Sequence, residues 1–145
     1  MKKLTLFLLF VGFIGFNNPL MAQNTNGHEA IKKHINSVVE KVEKTEAPGQ
    51  KRKVLDESLT DMVTAIDRVA ARKSVSTTDK QGLAQFKKKL MERKDELNGT
   101  NGFTRVSNKQ LNQYAQFIQQ DIEQADAVTI SLTTALLIII ILLLI

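Results

Sequence analysis

The segment HEAIKKH, residues 28–34, is the first place to look for chemistry. Zinc-binding helices of the HExxH kind carry histidines four residues apart on one face, with a glutamate after the first. His28 and His34 are six apart. On a helix of 3.6 residues per turn that rotates one ring about 240° from the other. The rings point apart, so no metal is expected, and both histidines read as solvent-facing residues near the start of a helix. Cysteine is absent, which removes thiol nucleophiles, cysteine zinc sites and lipoprotein acylation.

Catalytic constellations are equally thin. There is no GxSxG elbow and no glycine-rich phosphate loop. The pairs Asp56/Glu57 and Asp95/Glu96 lie on helical patterns whose polar side is read as solvated. Carboxylates that work as an acid/base pair need a cleft between them, and a small helical domain rarely has one. Neither an enzyme nor a cofactor is expected. Two basic clusters remain, Lys51-Arg52-Lys53 and Lys87-Lys88-Lys89. The first, with Arg105, is expected to gather at one end of a helical domain as a contact for an anionic partner. The plainer alternative is a solvated charged surface. Nucleic acid is not expected, because Tyr114 and Phe103 are the only aromatic stacking groups nearby.

The elements that would position these groups follow from apolar spacing. Ile31, Ile35, Val38, Val39 and Val42 step by three and four, and APGQ at 47–50 stops that run. Leu55, Leu59, Met62, Ile66 and Val69 follow a 4-3-4-3 seam of the coiled-coil kind. Thr78 with Gln81 fits a capping box for a third helix, on which Leu83, Phe86, Leu90 and Leu97 form a stripe broken by Lys94. NGTNG at 98–102 ends it, with glycine where a left-handed cap is needed. Ser107 with Gln110 fits a second capping box, followed by Leu111, Ala115, Ile118, Ile122 and Ala125 in 4-3-4-3 spacing. Short connections favour antiparallel neighbours. The expected fold is therefore all-α: a small antiparallel bundle of about four helices over 23–126. A helical hairpin that dimerises as a coiled coil is the alternative. Leu55, Leu59, Met62, Ile66, Val69, Leu111, Ile118 and Ile122 are its candidate interaction surface.

Both ends are set apart by hydropathy. Lys2 and Lys3 precede an apolar run at 4–16, then Asn17, Asn18 and Pro19, then Ala22. This is the layout of a signal peptide over 1–22, cleaved before Gln23. Removing its two lysines takes the formal charge from +5 to 5 − 2 = +3, a mild basic balance. At the other end, 127–145 holds no charge, and its last ten residues are all leucine or isoleucine. As a helix it would be about 28 Å long, near the bilayer's hydrocarbon thickness. Ten such residues favour insertion by roughly 3–6 kcal/mol. It is expected to be a single-pass transmembrane anchor in the inner membrane of a bacterial envelope, with the helical domain on the periplasmic side. A GPI signal with Ala125, Asp126 and Ala127 as its small-residue site is the eukaryotic alternative.

Function is constrained less than place. The leading expectation is a membrane-anchored structural or interaction protein that pairs with itself or with another helical protein. A second is a membrane helix that regulates a larger complex through Ser131, Thr133 and Thr134. A third is a holdase for exported chains.

Overall fold

The computed structural model describes residues 22–124 and 130–145, with side chains from Glu29 onward. The signal-peptide assignment, the side chain of His28, the last seam residue Ala125 and the GPI site fall outside the described residues. All the described elements are helical: α1 (Ala22–Lys44), α2 (Pro48–Ala70), α3 (Thr77–Asn98), α4 (Leu111–Glu123) and α5 (Leu132–Leu144), with a 3₁₀ turn at Asn108–Gln110 before α4.

Local chemistry sets the boundaries. Pro48 occupies the first turn of α2, where its missing N–H costs nothing. The start of α3 is not the expected Thr78/Gln81 box. Ser76 is the N-cap, and its hydroxyl accepts from the Asp79 N–H at 3.0 Å. An equivalent Ser-x-x-Asp pattern lies two residues earlier, and it leaves the Asp79 carboxylate free for other work. Gly99 ends α3 at φ +69, its N–H donating to the Asp95 carbonyl at 2.8 Å. A Cβ there would come within 2.7 Å of the Arg105 Cβ, so glycine is required by both angle and space. Ser107 caps only the 3₁₀ turn, where its hydroxyl meets the Gln110 carboxamide at 2.8 Å.

The first four helices run up, down, up and down. Lys32, Asn36 and Glu43 of α1 meet Glu123, Gln119 and Gln116 of α4, which fixes that pair as antiparallel. Arg52, Asp56, Thr60 and Asp67 of α2 meet Leu97, Asn98, Lys94 and Lys87 of α3 in the same sense. Lys94, which interrupts the α3 stripe, lies half-buried and donates to the Thr60 hydroxyl at 2.6 Å. The seams close on one another: Ile31, Ile35, Val39, Leu55, Leu59, Met62, Ile66, Leu83, Phe86, Leu90, Leu111, Ile118 and Ile122 are all buried in one core.

The C-terminal run departs from expectation. Among the described residues no helix is long and apolar enough to cross a membrane. The expected transmembrane helix at 127–145 is replaced by α5, which has 13 residues and is about 20 Å long, well under the roughly 30 Å of a hydrocarbon core. It packs against α1 and α2 as a fifth helix. The reason lies in the length of α4. That helix also has 13 residues, against 23, 23 and 22 in α1 to α3, and it ends where Asp121 meets Lys89 of α3. Beyond that level it cannot cover the apolar faces of its longer neighbours. α5 begins at the start of α3 and adds Ile130, Ala135, Ile138 and Ile141 to the core.

Candidate functional site

Apart from Thr133 and Thr134 in its first turn, α5 is aliphatic on every side, yet only one side is buried. Ala135, Ile138 and Ile141 face the bundle. Leu136, Ile140, Leu143 and Leu144 recur at helical spacing on the opposite face and are 43%, 51%, 80% and 79% exposed, with Ile145 at 54%. Single exposed leucines are ordinary, but an all-aliphatic helical face in water is not.

The start of α5 is held by one carboxylate. Asp79 of α3 accepts from the Ser131 N–H at 2.9 Å, the Ser131 hydroxyl at 2.7 Å and the Thr134 hydroxyl at 2.6 Å. Ser131 is also the N-cap of α5, its hydroxyl accepting from the Thr134 N–H at 3.3 Å. Asp79 thus sits in the first turn of one helix and at the N-terminus of another, where both macrodipoles favour negative charge. Burial pushes its carboxyl up, but the hydrogen bonds from Thr134 and Ser131 outweigh that and hold it below the usual carboxylate range. No salt bridge reaches Asp79 among the described residues; its partners are neutral hydroxyls and one amide.

A second polar node fastens α4. Arg93 donates from Nε to Asp121 at 2.9 Å and from Nη1 to Glu96 at 2.6 Å. Lys89 donates to the other Asp121 oxygen at 3.1 Å. Tyr114 lies within reach of the Arg93 carbonyl at 2.7 Å and of Glu96 at 2.9 Å. Phe117 lies under the Arg93 guanidinium, 4.9 Å from centroid to Cζ, in cation–π range. Burial pushes the Asp121 carboxyl up, but Arg93 and Lys89 bring it below its ordinary value. Burial, and then the bond to Glu96, push the Tyr114 phenol up. Glu96, expected on the solvated side of α3, is half-buried and paired. The i,i+3 spacing from Arg93 is its local sequence signal; the contact with Tyr114 of α4 has none.

The expected basic tip is divided by the fold. Arg52 is buried, and its guanidinium donates to the Leu97 carbonyl, to the Val106 carbonyl at 2.6 Å and to Asn108 at 3.1 Å. It ties the α3–α4 connection to α2 and is not a free contact for an anionic partner. Burial, then the neighbouring Arg105, pull it below its ordinary value. Lys51 donates to Asn112 at 2.6 Å, and Lys53 pairs with Glu57 at 3.7 Å on the surface. Arg105 is exposed. Arg105 lies near Arg52, but the Arg52 guanidinium is occupied.

The candidate interaction surface is placed inside the molecule. Leu55, Leu59, Met62, Ile66, Val69, Leu111, Ile118 and Ile122 are all buried, so their seam contacts are made within the chain. His34 is half-buried rather than solvent-facing, and burial lowers its pKa against the opposing pull of Asp61. Among the described residues no group of three His, Asp or Glu side chains is placed to hold a metal. An apolar cavity of about 20 Å³ between α1, α2 and α4 has room for little more than a water. A shallow polar groove lies between α1 and α4, lined by Asn36, Glu40, Glu43, Gln116, Gln119 and Gln120. Its hydrogen bonds run between its own walls, Gln116 to Glu43 and Gln119 to Asn36.

Comparison with protein-family models, curated proteins and solved structures returns no match.

Proposed function

We propose that this protein is a non-catalytic helical bundle that works at a membrane surface, with the outer face of α5 as its lipid contact. One observation carries the reading: the aliphatic face Leu136, Ile140, Leu143 and Leu144 turned away from the core. A helix buried in a bundle between proteins needs polar residues only where it meets water. A helix that is apolar all round belongs in a core or in lipid, and α5 is half in a core. Docked on the bundle, its outer face can lie in the headgroup–acyl boundary without spanning the bilayer. In the proposed setting the bundle is exported and faces the outer side of the inner membrane, as Lys2, Lys3 and the apolar run at 4–16 suggest.

The energies are of one order. Burying three isoleucines (Ile130, Ile138 and Ile141) favours docking by roughly 5–9 kcal/mol as an upper bound. Placing ten leucines and isoleucines in lipid favours insertion by roughly 3–6 kcal/mol. Neither environment dominates, which suits a peripheral contact better than a permanent anchor.

The test is flotation with vesicles of phosphatidylethanolamine and phosphatidylglycerol. The wild-type protein is expected to float, and a Leu136→Gln, Ile140→Gln, Leu143→Gln variant to stay behind while unfolding at the same denaturant concentration. A wild-type protein that stays behind, or a variant that floats equally well, ends the proposal.

A further inference from the structure

We infer that Asp79 is a latch that decides whether α5 lies on the bundle or leaves it for the bilayer; this rests on the lipid reading above. The polar attachment of α5 is concentrated at one residue. Among the described residues, every hydrogen bond from 130–145 to the rest of the molecule ends on the Asp79 carboxylate. Everything else that holds α5 is aliphatic contact through Ile130, Ala135, Ile138 and Ile141.

Those two kinds of attachment differ in what lipid can replace. Aliphatic contact is non-directional, and acyl chains supply it as well as a protein core does. The Asp79 bonds are directional and charge-assisted, and the bilayer interior offers no carboxylate. Once released, the Ser131 hydroxyl keeps its cap on the Thr134 N–H, the Thr134 hydroxyl can bond back to the carbonyl four residues earlier, and Asp79 and the Ser131 N–H at the helix start can be solvated. The docked state is therefore selected by the single feature that the inserted state lacks. Lipid is the occupant because the outer face of α5, four aliphatic side chains beside a single exposed hydroxyl at Thr133, carries no charge of the kind that fixes register against a protein partner.

The chain has no tryptophan, so Leu143→Trp at the most exposed α5 position gives a clean depth reporter in the full protein. Vesicles of phosphatidylethanolamine and phosphatidylglycerol with bromines at graded depths read its position. With Asp79 intact the indole is expected to be quenched shallowly. Asp79→Asn is expected to raise the deeply quenched fraction roughly threefold to tenfold, since a charge-assisted bond set is replaced by weaker neutral ones. Asp79→Asn that binds vesicles at the wild-type depth overturns the latch while leaving the lipid contact standing. Failure of every variant to bind overturns both. An Asp79→Cys, Thr134→Cys pair keeps the test sharp if Asp79→Asn loosens the whole fold. No other cysteine competes, the oxidised pair is expected to stay shallow, and reduction is expected to send the indole deep. Equal depth in both redox states overturns the latch.

Discussion

α4 and α5 are equal in length, and both are tied to α3 through an aspartate, but the ties differ in kind. Asp121 on α4 meets two cations, and its partner Arg93 also holds Glu96 and stacks on Phe117. Asp79 meets only two hydroxyls and a backbone amide from α5. The helices differ in the same sense. α4 buries Leu111, Ala115, Ile118 and Ile122 and turns Gln113, Gln116 and Gln120 outward, so water is its natural second neighbour. α5 turns leucine and isoleucine outward, so water is a poor one. A helix fastened by a charge network and dressed for water has one stable place. A helix fastened by one carboxylate, with an aliphatic face turned to water, is the one for which a second place is proposed.

Substitutions should separate the two ties. Arg93→Met is expected to cost the most, about 3–5 kcal/mol, because it leaves Asp121 to Lys89 alone and Glu96 to Tyr114 alone in a half-buried site; urea unfolding measures it. Ile138→Ala, in the buried face of α5, should cost about 2–4 kcal/mol by the same measurement. Its loss should shrink in the presence of vesicles if lipid offers α5 a second place, whereas the Arg93→Met loss should not. Asp79→Asn is expected to cost about 1–2 kcal/mol in solution. A value above that of Arg93→Met would make Asp79 the stronger of the two ties.

Acid tests both ties at once. Asp79 and Asp121 have folded pKa values below their unfolded ones. Their contribution is complete above the unfolded carboxylate value of about 3.9 and is lost as pH falls through the lowered folded values. The unfolding midpoint should therefore fall steeply only below about pH 4, and less steeply in Asp79→Asn. His34 gives the smallest effect. Its pKa is also lowered by folding, so the unfolded chain takes up its proton first as pH drops below about 6.5. Stability should decline slightly through that range, and a His34→Gln variant should show a flat profile there.

Much of the bundle was legible in the sequence. The spacing of Leu55 to Val69 and of Leu111 to Ile122 marked two helices and their inner faces, because a 3.6-residue period leaves an apolar record whatever the partner is. Gly99 was marked as a left-handed cap for an equally local reason. The occupant of each face was not legible. The 4-3-4-3 seams, which would also suit a second chain, close on each other inside one chain. Arg52, in a run of three basic residues, is spent on the carbonyls of Leu97 and Val106, which are far away in sequence.

The uncharged run at 127–145 shows the division most clearly. Its composition alone determined that most of it gains by leaving water, since its nineteen residues carry no charge and the last ten are all leucine or isoleucine. Composition could not choose between lipid and protein, because leucine and isoleucine gain about as much from either. That choice depended on the short α4, which leaves one end of the longer helices uncovered, and on Asp79, whose carboxylate lies where Ser131 and Thr134 can reach it. Both are facts of length and position between helices, and local spacing holds no record of them.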